Sequence, residues 1–152
     1  METALATVIV GTGVVALLAL FAAGSNSNAR GAETATAVNL SNNIHELMMT
    51  LKFTDSSNHW GLDSGETTSN CDDVEDLDGA TFNPPVDSRR QPLSELTGWS
   101  QSIAVHSVDP NNITFKESTN SSLTYPMMQV TVTIKRNGRQ VYQNSFLVTN
   151  PN

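Results

Sequence analysis

Residues 3 to 24 read TALATVIVGTGVVALLALFAAG, and no charge interrupts the chain between Glu2 and Arg30. At ~1.5 Å per residue a helix over this run is ~33 Å long, matching a hydrocarbon core of ~30 Å. A cleaved secretory signal has a basic start and a shorter apolar run. This segment opens on Met1 and an acid, so residues 1–24 read as a retained membrane-spanning helix. Gly11 and Gly13 each weaken a helix in water by about 1 kcal/mol relative to Ala, but in lipid small residues let helices approach closely.

Helical spacing continues past the polar Ser25–Asn28 break. Ala37, Leu40, Ile44, Leu47, Met48 and Leu51 recur at i, i+3 or i+4, with Asn39, Asn42, Asn43, His45 and Glu46 on the other side. Residues 25–52 are therefore expected to extend the first helix as an amphipathic one. Together they make a helix over residues 3–52, ~75 Å at the standard rise, whose Leu40, Ile44, Leu47 and Leu51 pack on a sheet.

Residues 53–98 change character. Nine acids lie between residues 53 and 88 with no Lys or Arg, among Gly, Ser, Thr, Asn and the pair Pro84-Pro85, which predicts a long irregular connection. Residues 99–152 predict a sheet. Trp99 to Val105 alternate, Ile113 and Phe115 alternate, and Val130, Val132 and Ile134 alternate with Gln129, Thr131, Thr133 and Lys135. Asn137-Gly138 supplies the two positive-φ residues of a type I′ turn, so the last two strands form a hairpin. Its pairing sets Ile134 opposite Val141; Phe146 and Val148 have the other parity, which calls for a bulge near Gln143 to Ser145. The expected class is α+β: one long N-terminal helix packed on a small C-terminal antiparallel sheet.

Composition narrows the function. With 152 residues the chain has room for one domain of ordinary size. Ser, Thr and Asn account for 48 residues and aromatics for 6%, so the core is modest and built from Val, Ile, Leu and Met. A net charge of −7 argues against a phosphate-neutralising nucleic-acid surface. A lone Cys71 forms no disulfide within the chain and no thiolate metal cage.

An acid at the head of an apolar span, an amphipathic continuation, a variable loop and a C-terminal antiparallel sheet together resemble the type IV pilin and pseudopilin superfamily. Glu2-Thr3-Ala4-Leu5-Ala6-Thr7-Val8-Ile9-Val10-Gly11 look like its Glu-led apolar start. The stretch from Cys71 to Gly79, with Pro84-Pro85 and Gly98-Trp99, is similar to the loop of minor-pilin-like proteins. The family's basic leader, cut after a Gly, and the aromatic-led stretch before the Glu are missing from the sequence. The resemblance implies a pilin-like fold and a structural subunit of a type IV pilus or type II secretion-like filament. It implies as partners other pilin subunits, the inner-membrane assembly machinery and the prepilin peptidase. It places the chain in a bacterial inner membrane before assembly, then in a periplasmic or extracellular filament. Glu2 is implied to meet the N-terminal amine of a neighbouring subunit, and a lone carboxylate at the edge of hydrocarbon is in any case a functional candidate.

The remaining residues carry weaker chemistry. Aligning Gly79 with the invariant Gly of an EF-hand puts Val74 and Pro85 at ligand positions, which excludes that loop. Asp72, Asp73, Asp76 and Asp78 stay as an irregular Ca²⁺ candidate, similar to the calcium loop of some pseudopilins, but solvated acidic loops are commoner and Ca²⁺ binding is expected to be weak or absent. Gly61-Leu-Asp-Ser64-Gly65 has its Ser one position late for a nucleophile elbow. His45, His59 and His106 have no metal-binding spacing. Cys71 sits among acids that disfavour its thiolate, and Trp60 and Trp99 read as core plugs. Asn39-Leu-Ser41, Asn112-Ile-Thr114 and Asn120-Ser-Ser122 match the glycosylation sequon, as chance allows in a chain this rich in Asn, Ser and Thr. No catalytic group or cofactor is expected. The alternative to the filament subunit is a membrane-tethered monomeric β-domain that binds a partner through its acidic loop.

Overall fold

The structure, a computed structural model, describes residues 2–54, 60–116 and 125–150, without the side chains of Leu5, Phe115 and Lys116. His59 and the sequon at Asn120 lie outside the described residues. The chain has one long N-terminal apolar helix, α1 (Glu2–Met48), and a small antiparallel sheet of five strands, an α+β architecture. Two compact units divide it, residues 1–36 and 37–152.

In the first unit the described side chains of residues 2–32 are exposed on every face, Phe21 at 82%. Its threonine hydroxyls are nonetheless partnered. Thr7 Oγ1 donates to Thr3 O at 2.8 Å and Thr12 Oγ1 to Val8 O at 3.0 Å, so both hydroxyls are satisfied by the preceding turn of the same helix. A backbone bonded within its own helix and threonines bonded back to it are what a hydrocarbon environment requires. The helix is long and apolar enough to cross a membrane.

The second unit begins at Ala37, where the apolar spacing starts to be used. Ala37, Leu40, Ile44 and Met48 are buried in one cluster with Ile103, Val105, Val130, Val132 and Ile134. The helix ends at Met48, short of the expected residue 52, in a tightened turn: Thr50 N donates to Leu47 O at 3.0 Å, Leu51 N to Met48 O at 3.1 Å, and Thr50 Oγ1 caps Leu47 O at 2.7 Å. A β-branched Thr whose hydroxyl competes for a helix carbonyl favours such an end. Leu51 therefore packs half-buried from beyond the helix. Leu47 is buried, but it lies beside Ser69, Arg90 and Gln91 rather than in the cluster.

Strands β1 (Thr81–Phe82), β2 (Trp99–Asp109), β3 (Asn112–Lys116), β4 (Met127–Arg136) and β5 (Arg139–Thr149) form the sheet. The order is β1-β2-β4-β5, with β3 also on β2. Ile103 faces Val132 and Val105 faces Val130 across β2 and β4, so the inward phase of both strands is apolar. The hairpin turn is as expected, with Asn137 at φ 50° and Gly138 at φ 78°. Gly98 closes behind it: Asn137 N donates to Gly98 O at 2.7 Å, and a Cβ on Gly98 would come within 2.3 Å of Asn137 Oδ1. The bulge is not at the expected Gln143 to Ser145. Ile134 faces Tyr142, and the register shifts between Ile134 and Lys135, so Val141 is the extra residue beside the turn. One inserted residue there turns Tyr142, Asn144, Phe146 and Val148 toward the core face.

Between helix and sheet, the described part of residues 53–98 is irregular apart from β1 and a single turn of 3₁₀ helix over Glu75–Leu77. This connection is more buried than its composition suggests. Cys71, Asp73, Val74, Glu75, Asp76 and Leu77 are all buried.

Candidate functional site

The functional expectations fall at two places, and each lies within one unit. In the first unit, Glu2 occupies the first turn of α1, where a carboxylate complements the helix dipole. It is exposed, and the next charged residue along the chain is Arg30. Around the helix the exposed apolar residues include Val8, Ile9, Val15, Leu18 and Phe21. A Cβ built at Gly11 or Gly13 would meet nothing within 4 Å, so the surface at both positions is open to close approach by another helix.

The acidic loop is organised around Asp76, not by solvation. Asp76 Oδ2 accepts the N–H groups of Asp72 and Asp73 at 3.3 and 3.4 Å, and Asp73 Oδ1 accepts Asp76 N–H in turn at 3.2 Å. The four expected ligands separate. Asp78 turns away, its Oδ1 accepting Val105 N–H at 2.9 Å and its Oδ2 accepting Trp60 Nε1–H at 3.2 Å. Asp73 is engaged by the 3₁₀ turn. Asp72 pairs with Lys52, an exposed ion pair of small energetic weight. What comes together is Asp72, Asp76 and Glu66, whose nearest oxygens lie within 4.8 Å of one another.

Glu66 was not foreseen. It arrives because Asn70 Oδ1 accepts Thr67 N–H and Oγ1–H at 2.7 Å and folds residues 67–70 into a turn; the Thr-Thr-Ser-Asn run was the available signal. Three carboxylates supply at most six oxygens, the lower end of the six to eight that Ca²⁺ takes, and only if all three bind through both oxygens. All three are also engaged, Asp72 by Lys52, Asp76 by backbone amides and Glu66 by Asp63 N–H at 3.1 Å. The arrangement works as a loop lock.

Arg90, also unforeseen, completes that lock. Held at φ 62°, it donates from one terminal nitrogen to Ser69 O at 3.0 Å and from the other to Cys71 O. No local sequence pattern announces this. Cys71 is 1% exposed, and burial pushes its thiol above the ordinary range. The Arg90 guanidinium pulls it back in part, while Asp76, Glu66 and Asp73 push it further up. The expectation of a disfavoured thiolate named the acids; burial is the larger cause.

Of the other singled-out residues, His45 and Trp99 serve packing. His45 stacks on Phe146 with centroids 4.3 Å apart. His106 is half-exposed on β2 opposite Gln129. Trp99 is buried under the Arg136 guanidinium, 5.4 Å from its ring centroid. Ser64 lies exposed in a turn with Gly65. Comparison with models of known families, with characterised proteins and with solved structures finds no match for this chain.

Proposed function

We propose that the chain is the structural subunit of a membrane-derived filament, of the type IV pilus or type II secretion-like kind, which assembles through α1. The observation that carries this reading is the division of labour along α1. Residues 37–48 bury their apolar side chains within the second unit, whereas residues 3–24 have an apolar surface that nothing among the described residues covers. Lipid covers such a surface in a monomer, and neighbouring helices cover it in a bundle.

Three features support assembly over simple tethering. The run carries two glycines open to helix approach. It carries the carboxylate of Glu2 with no Lys or Arg between it and Arg30 to neutralise it. The sequence resembles the Glu-led start of type IV pilins. On this reading the chain resides in a bacterial inner membrane, then in a periplasmic or extracellular filament, and its partners are other subunits, the assembly machinery and the prepilin peptidase. No catalytic step belongs to it. Shearing native cells and measuring the chain in the filament and membrane fractions tests the reading. Recovery in filaments supports it. Confinement to membranes favours the tethered binding module.

A further inference from the structure

The two sequon matches that lie within the described residues are held in opposite ways. Asn39-Leu40-Ser41 belongs to α1, where residues two apart point ~200° from each other around the axis. Asn39 is exposed, but Ser41 is fully buried and its Oγ has no partner among the described residues. Amide and hydroxyl are therefore not presented together. Asn112-Ile113-Thr114 opens β3, where residues two apart share a face. All three residues are exposed, and Thr114 Oγ1 donates to Asn112 Oδ1 at 2.7 Å. Here the amide and the hydroxyl form one surface unit.

The setting offers that unit to a partner. Asp109 Oδ1 accepts Asn111 N–H at 2.8 Å, an Asx turn that, with Pro110, carries the chain from β2 into β3. Strand β3 lies off the main path of the sheet and pairs with β2 alone among the described residues. Its register jumps from Asp109↔Asn112 to Val108↔Lys116, so Ile113 and Thr114 lie in the bulge between the two pairs. The Asn112 amide is oriented through its oxygen, while its Nδ2 makes no hydrogen bond among the described residues.

We propose that Asn112 is an N-glycosylation site, modified by an oligosaccharyltransferase that draws its glycan from a polyprenyl pyrophosphate donor. A bond forms between Asn112 Nδ2 and the anomeric carbon of the sugar. The bond from that carbon to the pyrophosphate oxygen breaks, the pyrophosphate leaves with the electron pair, and Nδ2 gives up one proton to a base of the transferase. Thr114 supplies the hydroxyl that such enzymes require two residues on. A bulky, solvating glycan at this position covers Ile113, 52% exposed, and the outer edge of β3, which has no strand partner among the described residues. Covering an edge in this way guards it against pairing with other chains.

The proposal rests on the filament reading in one respect: the second unit must lie on the extracytoplasmic side, because the sequon is used in exported chains.

The test takes the chain from membranes and sheared filaments of the native host and maps its peptides by mass. Trypsin releases residues 91–116 as one peptide. The expected result is a saccharide mass increment on that peptide, placed on Asn112 by fragmentation, with Asn39 unmodified. Asn112→Gln and Thr114→Val each abolish the increment, and Thr114→Ser, which keeps the hydroxyl, retains it. A membrane-impermeant amine reagent applied to intact and to lysed spheroplasts reports, through exposed Lys52, which side the second unit occupies. An unmodified Asn112 in a unit that is labelled from outside, or an increment that survives Asn112→Gln or Thr114→Val, overturns the proposal and leaves the filament reading standing. Labelling of Lys52 only after lysis overturns both.

Discussion

Gln101 and Val86 bond to each other twice: Val86 N–H donates to Gln101 Oε1 at 2.7 Å, and Gln101 Nε2 donates to Val86 O at 3.1 Å. A side-chain amide thus imitates the two bonds that a neighbouring strand would make. The same Nε2 also donates to Leu40 O of α1 at 2.9 Å, so one fully buried side chain joins β2, the loop segment at Val86 and the helix.

Replacing Gln101 with Leu keeps the volume but removes the side-chain partner of Val86 N–H, and leaves Val86 C=O only the longer bond from Asn43 Nδ2 at 3.5 Å. Each such group costs ~1–3 kcal/mol, so Gln101→Leu should lower the denaturation midpoint clearly, with Gln101→Glu no better because its carboxylate cannot donate to either carbonyl. Denaturant unfolding of the full-length chain in detergent, followed by Trp fluorescence, measures it. A midpoint unchanged in Gln101→Leu would show that these bonds contribute nothing net.

Two leucine-phase positions on α1 should respond differently to charge. Ile44 is fully buried in the apolar cluster, while Leu47, also buried, sits beside Arg90 and the Ser69 turn. An unpaired carboxylate in an apolar core is severely destabilising, and Ile44→Asp should abolish the cooperative transition. Leu47→Asp places its charge near a guanidinium and should cost less. The same unfolding assay ranks them, and equal loss at both sites would contradict the difference in surroundings.

This contrast shows what the sequence carried and what it did not. The spacing of Leu40, Ile44 and Leu47 marks the buried side of the helix, but not which buried residue meets sheet and which meets loop. The helix end was misplaced by the same route, since Leu51 keeps the apolar period after Thr50 has stopped the helix. The hairpin was legible because Asn137-Gly138 states its own turn chemistry. Gln101 was detectable as a polar residue set between Trp99 and Ile103 on the apolar phase that they share with Val105. The acidic loop was misread as solvated because composition does not record that Asp76 caps backbone amides. Arg90 left no trace in any local pattern. In the apolar N-terminal run, composition and helix agree.

Burial and the surrounding acids hold the Cys71 thiol in its protonated form above the ordinary thiol range. Its thiolate fraction at any pH is therefore below that of a free cysteine, and modification should be slow at pH 7 and accelerate only in alkali. The linkage has a definite sign. With the folded pKa above the unfolded one, the unfolded chain loses its proton first, so this group leaves stability unchanged below the unfolded thiol pKa, about 8.5, and lowers it as pH rises past that value. Thiol labelling against pH checks the first statement, and unfolding midpoints from about pH 7 to 10 check the second. Labelling at pH 7 as fast as free cysteine would contradict both.

Assembly through α1 makes its sharpest demand on Glu2. In a bundle of apolar helices a carboxylate needs a cation; none lies between Glu2 and Arg30, and the proposed partner, implied by the pilin resemblance, is the N-terminal amine of a neighbouring subunit. Breaking a buried pair costs ~3–5 kcal/mol, whereas removing the charge from a lone membrane helix only makes the segment more apolar. The decisive measurement is the ratio of chain in sheared filaments to chain in membranes, for wild type and Glu2→Ala in the native host. The account predicts unchanged membrane insertion and a strongly reduced filament fraction for Glu2→Ala; equal incorporation of the two would contradict it.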